Sequence, residues 1–426
     1  MKRIEIKPVI FLFFLFFLFF LFFVFMFPLS LEASATKVPD IDGEAAALMD
    51  ACNKQVLYQK NMHRLMYPAS TTKIITAAVA IEKGKLDDIV TIPRAACLQD
   101  GSSIGLQEGE QLSLRDLLYA LMLASGNDAA TALAMHIANS EIEFAALMNE
   151  WSRSCGTKES NFINPNGLPD PLHYTTAYDL ALITQKIMQD PIFRQIVATR
   201  LAVIQRPLAD RSKGPPQEHL WNHNRLLSLY PGAIGVKTGY TVEAGQCIVA
   251  QAKRGNRELI AVVLKSQGSN ITHDAINLLD YGFNGFATTP VVNKGAKISS
   301  LKARQGKEVV NLVAKNSFYL NFPAGHNKYL PDQSFDRQVT LNEELRAPLP
   351  KGKKGGELIF LQEGQELGRV DLITDQPVEK KYPLWLGWLT LPVSLLIFTH
   401  FYSRVKQRRA RQNYILRSYP IKRYRR

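Results

Sequence analysis

The sequence predicts an α/β fold followed by a smaller all-β domain. Between residues 46 and 290, two short apolar strands come first, a series of helical segments follows, and three longer strands and a helix close the stretch. This order is typical of a body whose first hairpin joins a sheet completed by the last strands, with helices on both faces. From about Pro290 to Glu379, short alternating apolar segments are separated by Gly, Pro and Lys, which is typical of a small all-β domain.

The strands of the predicted sheet are marked by apolar runs and turn residues. The segment "AALMDACNKQVLYQK" predicts a hairpin that turns at Asn53, and "GAIGVKTGY" predicts a strand around Gly235. The segment "GQCIVAQAKRGNRELIAVVLKS" predicts a second hairpin that turns near Gly255.

The helical segments lie between these strands and after them. The run "STTKIITAAVA" predicts a helix that begins at Ser70, and "SLRDLLYALMLASGNDAATALAMHIA" predicts two helices interrupted at Ser125. Residues 161–176 are rich in Pro, Gly and Asn and predict a long loop. Helices are then predicted in "AYDLALITQKIM" and, at the end of the body, in "THDAINLLDYGFNGF".

The N-terminus has the pattern of an export signal. A short basic segment precedes an apolar run from Val9 to about Leu29, and Ala33 and Ala35 form a small-x-small cleavage pattern. We therefore expect a signal peptide over residues 1–35. The apolar run is long for a signal peptide, so an uncleaved N-terminal anchor is the alternative, and both interpretations export the rest of the chain.

The C-terminus predicts a membrane attachment. Residues 383–402 contain no Asp, Glu, Lys or Arg and are just long enough for a transmembrane helix. Residues 403–426 contain ten Lys or Arg residues and no acidic residue, and such basic flanks remain cytoplasmic. We therefore expect a cell-membrane protein with a single C-terminal span and an extracytoplasmic body.

The charge and cysteine patterns exclude other classes of function. Ten of the net +13 charges lie in the basic tail, and only +2 remains for residues 36–403, so the basic composition does not indicate nucleic-acid binding. The four cysteines show no C-x-x-C spacing and predict no pairing. No metal-ligand spacing and no phosphate-binding glycine motif is present, so we expect neither a metal nor a cofactor.

Ser70 and Lys73 form an S-x-x-K pair. Serine needs a base to become a nucleophile, and one helical turn would place Lys73 beside Ser70. Burial, the positive end of the helix dipole and a second cation would lower the pKa of Lys73 enough for this role. The alternative is that Ser70 only caps the helix. The spacing alone does not decide, because it occurs at three other places: Ser34/Lys37, Ser299/Lys302 and Ser403/Lys406.

Two further triplets complete a possible catalytic set. Ser125 and Asn127 form the only S-x-N of the chain, at the predicted helix break, and Lys237-Thr238-Gly239 is the only K-T-G, on a predicted strand. Gly239 has no side chain and would let a substrate backbone lie close. Taken singly, a helix linker and a strand-end turn explain these triplets better. The three motifs in this order, each in suitable local structure, favour catalysis.

The motifs S-x-x-K, S-x-N and K-T-G are together the signature of penicillin-binding proteins and serine β-lactamases. Over about residues 40–290 the chain resembles the low-molecular-mass D-alanyl-D-alanine carboxypeptidases, and residues 290–379 are similar to the C-terminal domain of that family. The segments that carry the resemblance are "YPASTTKIITA", "LLYALMLASGNDAATALA", "NPNGLPDPLHYTTAYDLA", "NHNRLL" and "GVKTGYTVEAGQCIVAQAKRGNRELIAVVL".

The resemblance implies a domain order. A β-lactamase/transpeptidase-like catalytic domain, an antiparallel sheet flanked by helices, is expected over residues 36–289. A β-sandwich is expected over residues 290–380. The predicted span and basic tail follow these domains, whereas the family often ends in an amphipathic membrane-surface helix.

The resemblance also implies a reaction. Ser70 would attack the carbonyl of the penultimate D-Ala in a peptidoglycan stem pentapeptide, and Lys73 would take its proton. Ser125 would relay a proton to the leaving amine, while Asn127 would bind the substrate amide and hold Lys73. Terminal D-Ala would leave, water would hydrolyse the acyl-enzyme, and cross-linking of the cell wall, and with it cell shape, would be limited.

The resemblance assigns the remaining substrate-binding residues to one strand. Lys237 and Thr238 would bind the terminal carboxylate next to Gly239. The backbone N–H groups of Ser70 and Tyr240 would form the oxyanion hole. β-Lactam antibiotics would acylate Ser70 in the same way and leave slowly.

The loop at 161–176 offers a further candidate. His173 is either a base for deacylation or a residue that holds the loop in place, together with Asn166 and Asp170. Asp179, on the next helix, is expected to be structural.

Three rival functions were weighed against the carboxypeptidase. A class A β-lactamase needs a loop glutamate followed four residues later by Asn, and no glutamate between Asn139 and Asp179 meets this requirement. A transpeptidase shares the motifs and differs in its acceptor, so it stays open. A non-enzymatic wall-binding protein is disfavoured because every motif is intact.

Overall fold

The computed structural model describes residues 16–17, 37–324, 335–342, 344–362, 364–382 and 385–417. These residues divide into two compact units, one within 1–289 and 319–334 and the other within 290–318 and 335–426. The described strands are β1 (Ala45–Asp50), β2 (Val56–Lys60), β3 (Ile89–Thr91), β4 (Gln111–Ser113), β5 (Leu201–Val203), β6 (His219–Trp221), β7 (Ala233–Thr241), β8 (Gly245–Arg254), β9 (Arg257–Ser266), β10 (Phe286–Val292), β11 (Lys297–Lys302), β12 (Val309–Ala314), β13 (Phe318–Pro323), β14 (Asp336–Leu341), β15 (Lys354–Gln362) and β16 (Gln365–Thr374).

The first unit is built on a five-stranded antiparallel sheet with the strand order β2-β1-β9-β8-β7. Both predicted hairpins and the strand around Gly235 are confirmed. Because the first hairpin pairs with β9, the start of the body closes onto its end, as the order of elements predicted. Strand β7 lies at an edge of the sheet, so one of its sides is not paired with another strand of that sheet. Two short pairs, β3 with β4 and β5 with β6, lie outside it.

Helices cover both faces of this sheet, as predicted. Strand β1 is buried along its whole length, and its side chains alternate between two cores. Ala47 and Met49 pack in a large core with the helices between β2 and β7. Ala46 and Leu48 pack in a smaller core with the helix that follows β9. The helices are α1 (Lys73–Lys83), α2 (Arg94–Cys97), α3 (Leu114–Met122), α4 (Asn127–Ala138), α5 (Glu141–Ser154), α6 (Ala177–Ile187), α7 (Pro191–Ala198), α8 (Leu226–Leu229), α9 (Ile271–Gly285) and α10 (Trp385–Arg417).

The helix boundaries follow from capping residues. Ser113, Ser140 and Thr176 each accept a hydrogen bond from a backbone N–H of the first turn of α3, α5 and α6. The predicted interruption between α3 and α4 is confirmed. Residues 161–176 form a loop with isolated bridges at its two ends, also as predicted.

The second unit contains the predicted all-β domain. Its five-stranded antiparallel sheet has the order β11-β12-β16-β15-β14. Strands β10 and β13 form a separate two-stranded sheet.

The C-terminal helix differs from its prediction. Helix α10 runs without interruption from Trp385 to Arg417, through the boundary predicted after residue 402, and it includes Pro392. Within the described part of the chain, none of the helices combines the length and apolar character that crossing a bilayer requires, so the predicted transmembrane helix is not confirmed. The predicted signal peptide and the last residues of the basic tail lie outside the described residues.

Candidate active site

Ser70 lies in a short 3₁₀ turn, Ala69–Thr72, that leads into α1. The α-helix therefore begins at Lys73, three residues later than predicted. Ala69 has a φ of +48°, a conformation uncommon for a residue with a Cβ and often associated with functional sites. The residues at the cap positions are Pro68 and Thr72, so the interpretation of Ser70 as a helix cap is wrong.

The Lys73 amine is held by three oxygen atoms. Its Nζ lies 2.8 Å from the Oγ of Ser70, 2.6 Å from the Oδ1 of Asn127 and 2.8 Å from the backbone carbonyl oxygen of Asn166. The three acceptors come from the 3₁₀ turn, the start of α4 and the 161–176 loop. The site therefore exists only when these three segments are packed together.

The surroundings of Lys73 favour a neutral amine. The residue is fully buried. Burial, followed by the positive charge of Lys237, holds the pKa of Lys73 well below its usual range, and Asp128 opposes this shift. The sequence predicted both lowering causes.

Ser125 and Asn127 lie at the turn between α3 and α4, and both are buried. Ser125 has a φ of +62°, so the backbone turns sharply at this residue. The backbone N–H of Asn127 donates to the carbonyl of Ser102 at 2.7 Å, and its Nδ2 donates to the carbonyl of Asp100. The Asn127 side chain thus joins Lys73 to the segment around residue 100.

Lys237, Thr238 and Gly239 lie on the edge strand β7. The Lys237 side chain is buried, its Nζ donates to the carbonyl of Thr238 at 2.9 Å, and burial lowers the pKa of Lys237 to about 7. Tyr240 follows with an exposed side chain. A Cβ at Gly239 would lie 2.7 Å from the backbone N of Ser70, so a glycine here lets β7 lie directly against the Ser70 turn.

We expect Gly239→Ala to slow acylation of Ser70 by a penicillin, because the added methyl group would push the Ser70 amide out of position. Labelling rates with a fluorescent penicillin measure this effect. The control is Gly255→Asn at a hairpin turn, where a Cβ meets open space and Asn tolerates a positive φ. Equal labelling of the two variants would contradict the predicted role of the Gly239 contact.

His173 connects the 161–176 loop to the turn before Lys73. The Ile163 backbone N–H donates to its Nδ1 at 3.2 Å, so its Nε2–H donates to the Oγ1 of Thr72 at 2.9 Å. Burial lowers the pKa of His173 to about 4, and the ring packs edge-on against Phe162. Of the two open interpretations, this geometry favours the loop-holding one.

The other predicted loop residues also serve the loop. Asn166 contributes its carbonyl to Lys73, and its side chain bonds to Gln99 at 3.0 Å. Asp170 accepts from the backbone of Leu172, and Asp179 accepts from Ser160, in the structural role expected for it.

Several contributing residues were missed by the sequence analysis. Asp128 accepts hydrogen bonds from Ser103 and from the backbone of Ile104, and so holds the segment beside Asn127. The buried pair of Arg206 and Glu110 braces the same segment. His223 donates its backbone N–H to Leu123, and burial and Lys237 lower its pKa. The adjacency of Asp128 to the S-x-N motif was the one available signal.

No metal or disulfide chemistry is apparent in the described part of the chain. No group of three or more His, Cys, Asp or Glu side chains there could hold a metal ion. The four cysteines are free, with Cys155 and Cys247 buried and Cys52 and Cys97 exposed.

A sequence profile described as D-alanyl-D-alanine carboxypeptidase matches residues 32–268, more than half of the chain. The chain belongs to the D-alanyl-D-alanine carboxypeptidase family. A second profile, the C-terminal domain of penicillin-binding protein 5, matches residues 286–380. The family resemblance inferred from the motifs is therefore confirmed.

Curated relatives match most of the chain. The Bacillus subtilis D-alanyl-D-alanine carboxypeptidase DacF is 30% identical over 352 residues, which cover 80% of this chain and 86% of the relative. The Escherichia coli D-alanyl-D-alanine carboxypeptidase DacC is 32% identical over 371 residues, which cover 83% and 88%.

Solved structures agree with the fold. Penicillin-binding protein 5 from Haemophilus influenzae is 29% identical, with a TM-score of 0.65, and the match covers 81% of this chain and all of that one. A mutant of the Streptomyces K15 DD-transpeptidase is 33% identical, with a TM-score of 0.54, over 58% of this chain and 99% of that one. The penicillin-binding, transpeptidase-like catalytic fold is thus confirmed.

Proposed function

We propose that this protein is a serine-type D-alanyl-D-alanine carboxypeptidase that removes the terminal D-Ala from peptidoglycan stem pentapeptides through an acyl-serine intermediate. The observation that supports this most is the buried Lys73 amine, 2.8 Å from the Oγ of Ser70 and held by two carbonyl oxygens. Such a hydrolase shortens the peptides needed for cross-linking and thereby limits cross-linking of the wall and influences cell shape.

Lys73 activates Ser70 in this proposal. A neutral amine has two N–H donors and one lone pair. The carbonyl oxygens of Asn127 and Asn166 accept the two N–H groups, which directs the lone pair at Ser70. Lys73 then takes the Ser70 proton as the Oγ attacks the penultimate D-Ala carbonyl.

The other residues bind and stabilise. Lys237 and Thr238 hold the terminal carboxylate, and Asn127 binds the substrate amide in addition to Lys73. The backbone N–H groups of Ser70 and Tyr240 stabilise the oxyanion. Ser125 passes a proton to the D-Ala amine as it leaves, and water then hydrolyses the acyl-enzyme. A β-lactam forms the same bond to Ser70.

The test uses the purified full-length protein in detergent. A tripeptide ending in D-Ala-D-Ala should release D-Ala, and a labelled penicillin should give a single adduct whose peptide map includes Ser70. Protein that binds the penicillin but releases no D-Ala from any peptide would overturn the carboxypeptidase assignment.

Transpeptidation is the second candidate, because the chain is 33% identical to the Streptomyces K15 DD-transpeptidase over 58% of its length. Adding glycine or a D-amino acid as an acceptor to the same assay separates the two reactions. A carboxypeptidase gives free acid as the main product, whereas a transpeptidase gives the acceptor adduct.

The pH dependence of the reaction follows from the two lysines. Lys73 is a base only when neutral, so kcat/KM should fall at acidic pH as Lys73 becomes protonated. Lys237 attracts a carboxylate only when charged, so kcat/KM should fall as the pH rises through about 7. In Lys237→Arg the guanidinium stays charged, and the alkaline fall should disappear from the pH profile. An unchanged alkaline limb in that variant would contradict the assignment.

We also propose that the protein is exported and acts at the outer face of the cell membrane. Support comes from the apolar N-terminal run followed by a cleavage pattern, and from the apolar residues 383–402 followed by the basic tail. Fractionation of cells that express the full chain or a chain ending at residue 382 tests the C-terminal attachment. The full chain should sediment with membranes, and the shortened chain should not.

A further inference from the structure

A cavity of about 360 Å³ lies beside the end of β7. Its lining includes Tyr67, Tyr174 and four charged residues: Glu44, Arg64, Glu243 and Lys265. Its volume lies toward the lower end of the range of small-molecule sites, roughly 300–1,000 Å³. The function proposed above does not use it.

The charges in this cavity are of both signs. Glu44 accepts from Arg64 at 2.7 Å and from Lys265 at 2.8 Å, so two cations share one carboxylate. About half of each cation's side chain is exposed, which leaves donor groups available to a ligand. Glu243 is exposed and has no ion-pair partner among the described residues. The cavity thus has one cation in excess and, separately, one unpaired carboxylate.

The cavity lies along the path of an extended substrate. With the terminal carboxylate at Lys237 and Thr238 and the scissile carbonyl beside Ser70, the rest of the substrate continues past Gly239 along β7. This strand is an edge strand, so an extended peptide can lie antiparallel to it. Strand β7 ends at Thr241, about 7 Å beyond Gly239 at a rise of about 3.3 Å per residue.

Both ends of the cavity wall lead back to the nucleophile. Tyr67 precedes Ser70 by three residues, and Glu243 follows β7 by two residues. The side chain of the residue that precedes the D-Ala-D-Ala pair can therefore reach this cavity while Ser70 reacts.

We infer that this cavity binds the side chain of the residue preceding D-Ala-D-Ala and favours one that ends in both an ammonium and a carboxylate. The ammonium pairs with Glu243, and the carboxylate pairs with Arg64 and Lys265. This inference rests on the proposed carboxypeptidase function and adds a substrate preference to it.

The test compares four peptides of the form N-acetyl-X-D-Ala-D-Ala with the full-length protein in detergent. X is meso-diaminopimelate, which has both groups, lysine, which has the ammonium, 2-aminopimelate, which has the carboxylate, or norleucine, which has neither. We expect kcat/KM for the diaminopimelate peptide to exceed that for norleucine about tenfold, with the other two between.

Two variants assign the preference to residues. Glu243→Gln should remove the advantage of diaminopimelate over 2-aminopimelate, and Lys265→Gln should reduce its advantage over lysine. Glu150→Gln, which neutralises an exposed carboxylate on α5, should keep the wild-type order of the four peptides.

The outcomes are distinguishable. Equal kcat/KM for the four peptides, with normal D-Ala release, would overturn this inference and leave the proposed function intact. A preference that survives both variants would also overturn it. No D-Ala release from any peptide would instead refute the proposed function.

Discussion

Ser70→Ala is expected to abolish both D-Ala release and the covalent penicillin adduct, with kcat falling by about 10⁴-fold or more. The variant removes the only atom that can form the acyl bond. The rest of the site stays in place, since Lys73 keeps its bonds to Asn127 and Asn166. A stopped D-Ala assay and intact-mass analysis after incubation with penicillin measure the two effects.

The chain offers a matched control for this variant. Ser299 precedes Lys302 at the same S-x-x-K spacing but lies on β11 of the second unit. Ser299→Ala should leave both readouts at the wild-type level. If Ser70→Ala protein still released D-Ala, the assignment of Ser70 as the nucleophile would be lost.

Lys73→Met is expected to have the second-largest effect. Methionine has a similar length and no basic atom, so Ser70 loses its proton acceptor while the buried space stays filled. Loss of a general base typically costs about 10²–10⁴-fold in rate. Both kcat/KM for D-Ala release and the rate of acylation by penicillin should fall together, because the same proton transfer starts both reactions.

Thermal denaturation separates loss of the base from loss of the fold. The variant leaves the Asn127 and Asn166 carbonyl oxygens without a donor, which costs about 1–3 kcal/mol each if no water replaces it. It also removes the cost of burying an amine, so we expect a shift of Tm of only a few degrees. Lys302→Met is the matched control. A fully active Lys73→Met enzyme would show that another group takes the proton.

Much of the fold follows from local patterns in the sequence. The hairpin at Asn53, the break at Ser125 and the long loop at 161–176 were predicted because turn residues and apolar periodicity act over a few residues. The start of α1 was placed three residues too early, because a 3₁₀ turn and an α-helix have similar apolar spacing over so short a stretch. The C-terminal helix was placed correctly but ends later than predicted.

The sequence by itself determined which residue types are available to the reaction: the nucleophile Ser70, the amine of Lys73, and the triplets at Ser125 and Lys237. These can be recognised because each motif lies within three or four residues. It also determined the order of elements that closes the sheet, since each strand and helix has its own periodicity.

Only the tertiary structure decided what surrounds those residues. The Asn166 carbonyl reaches Lys73 across 93 residues of sequence, and a backbone carbonyl has no side-chain identity that a motif could display. The closeness of Lys237 to Lys73, and the sharing of Glu44 by Arg64 and Lys265, likewise arise from packing between distant segments. Burial and charge act through space, and therefore only the folded chain sets the pKa of Lys73 and the lining of the cavity.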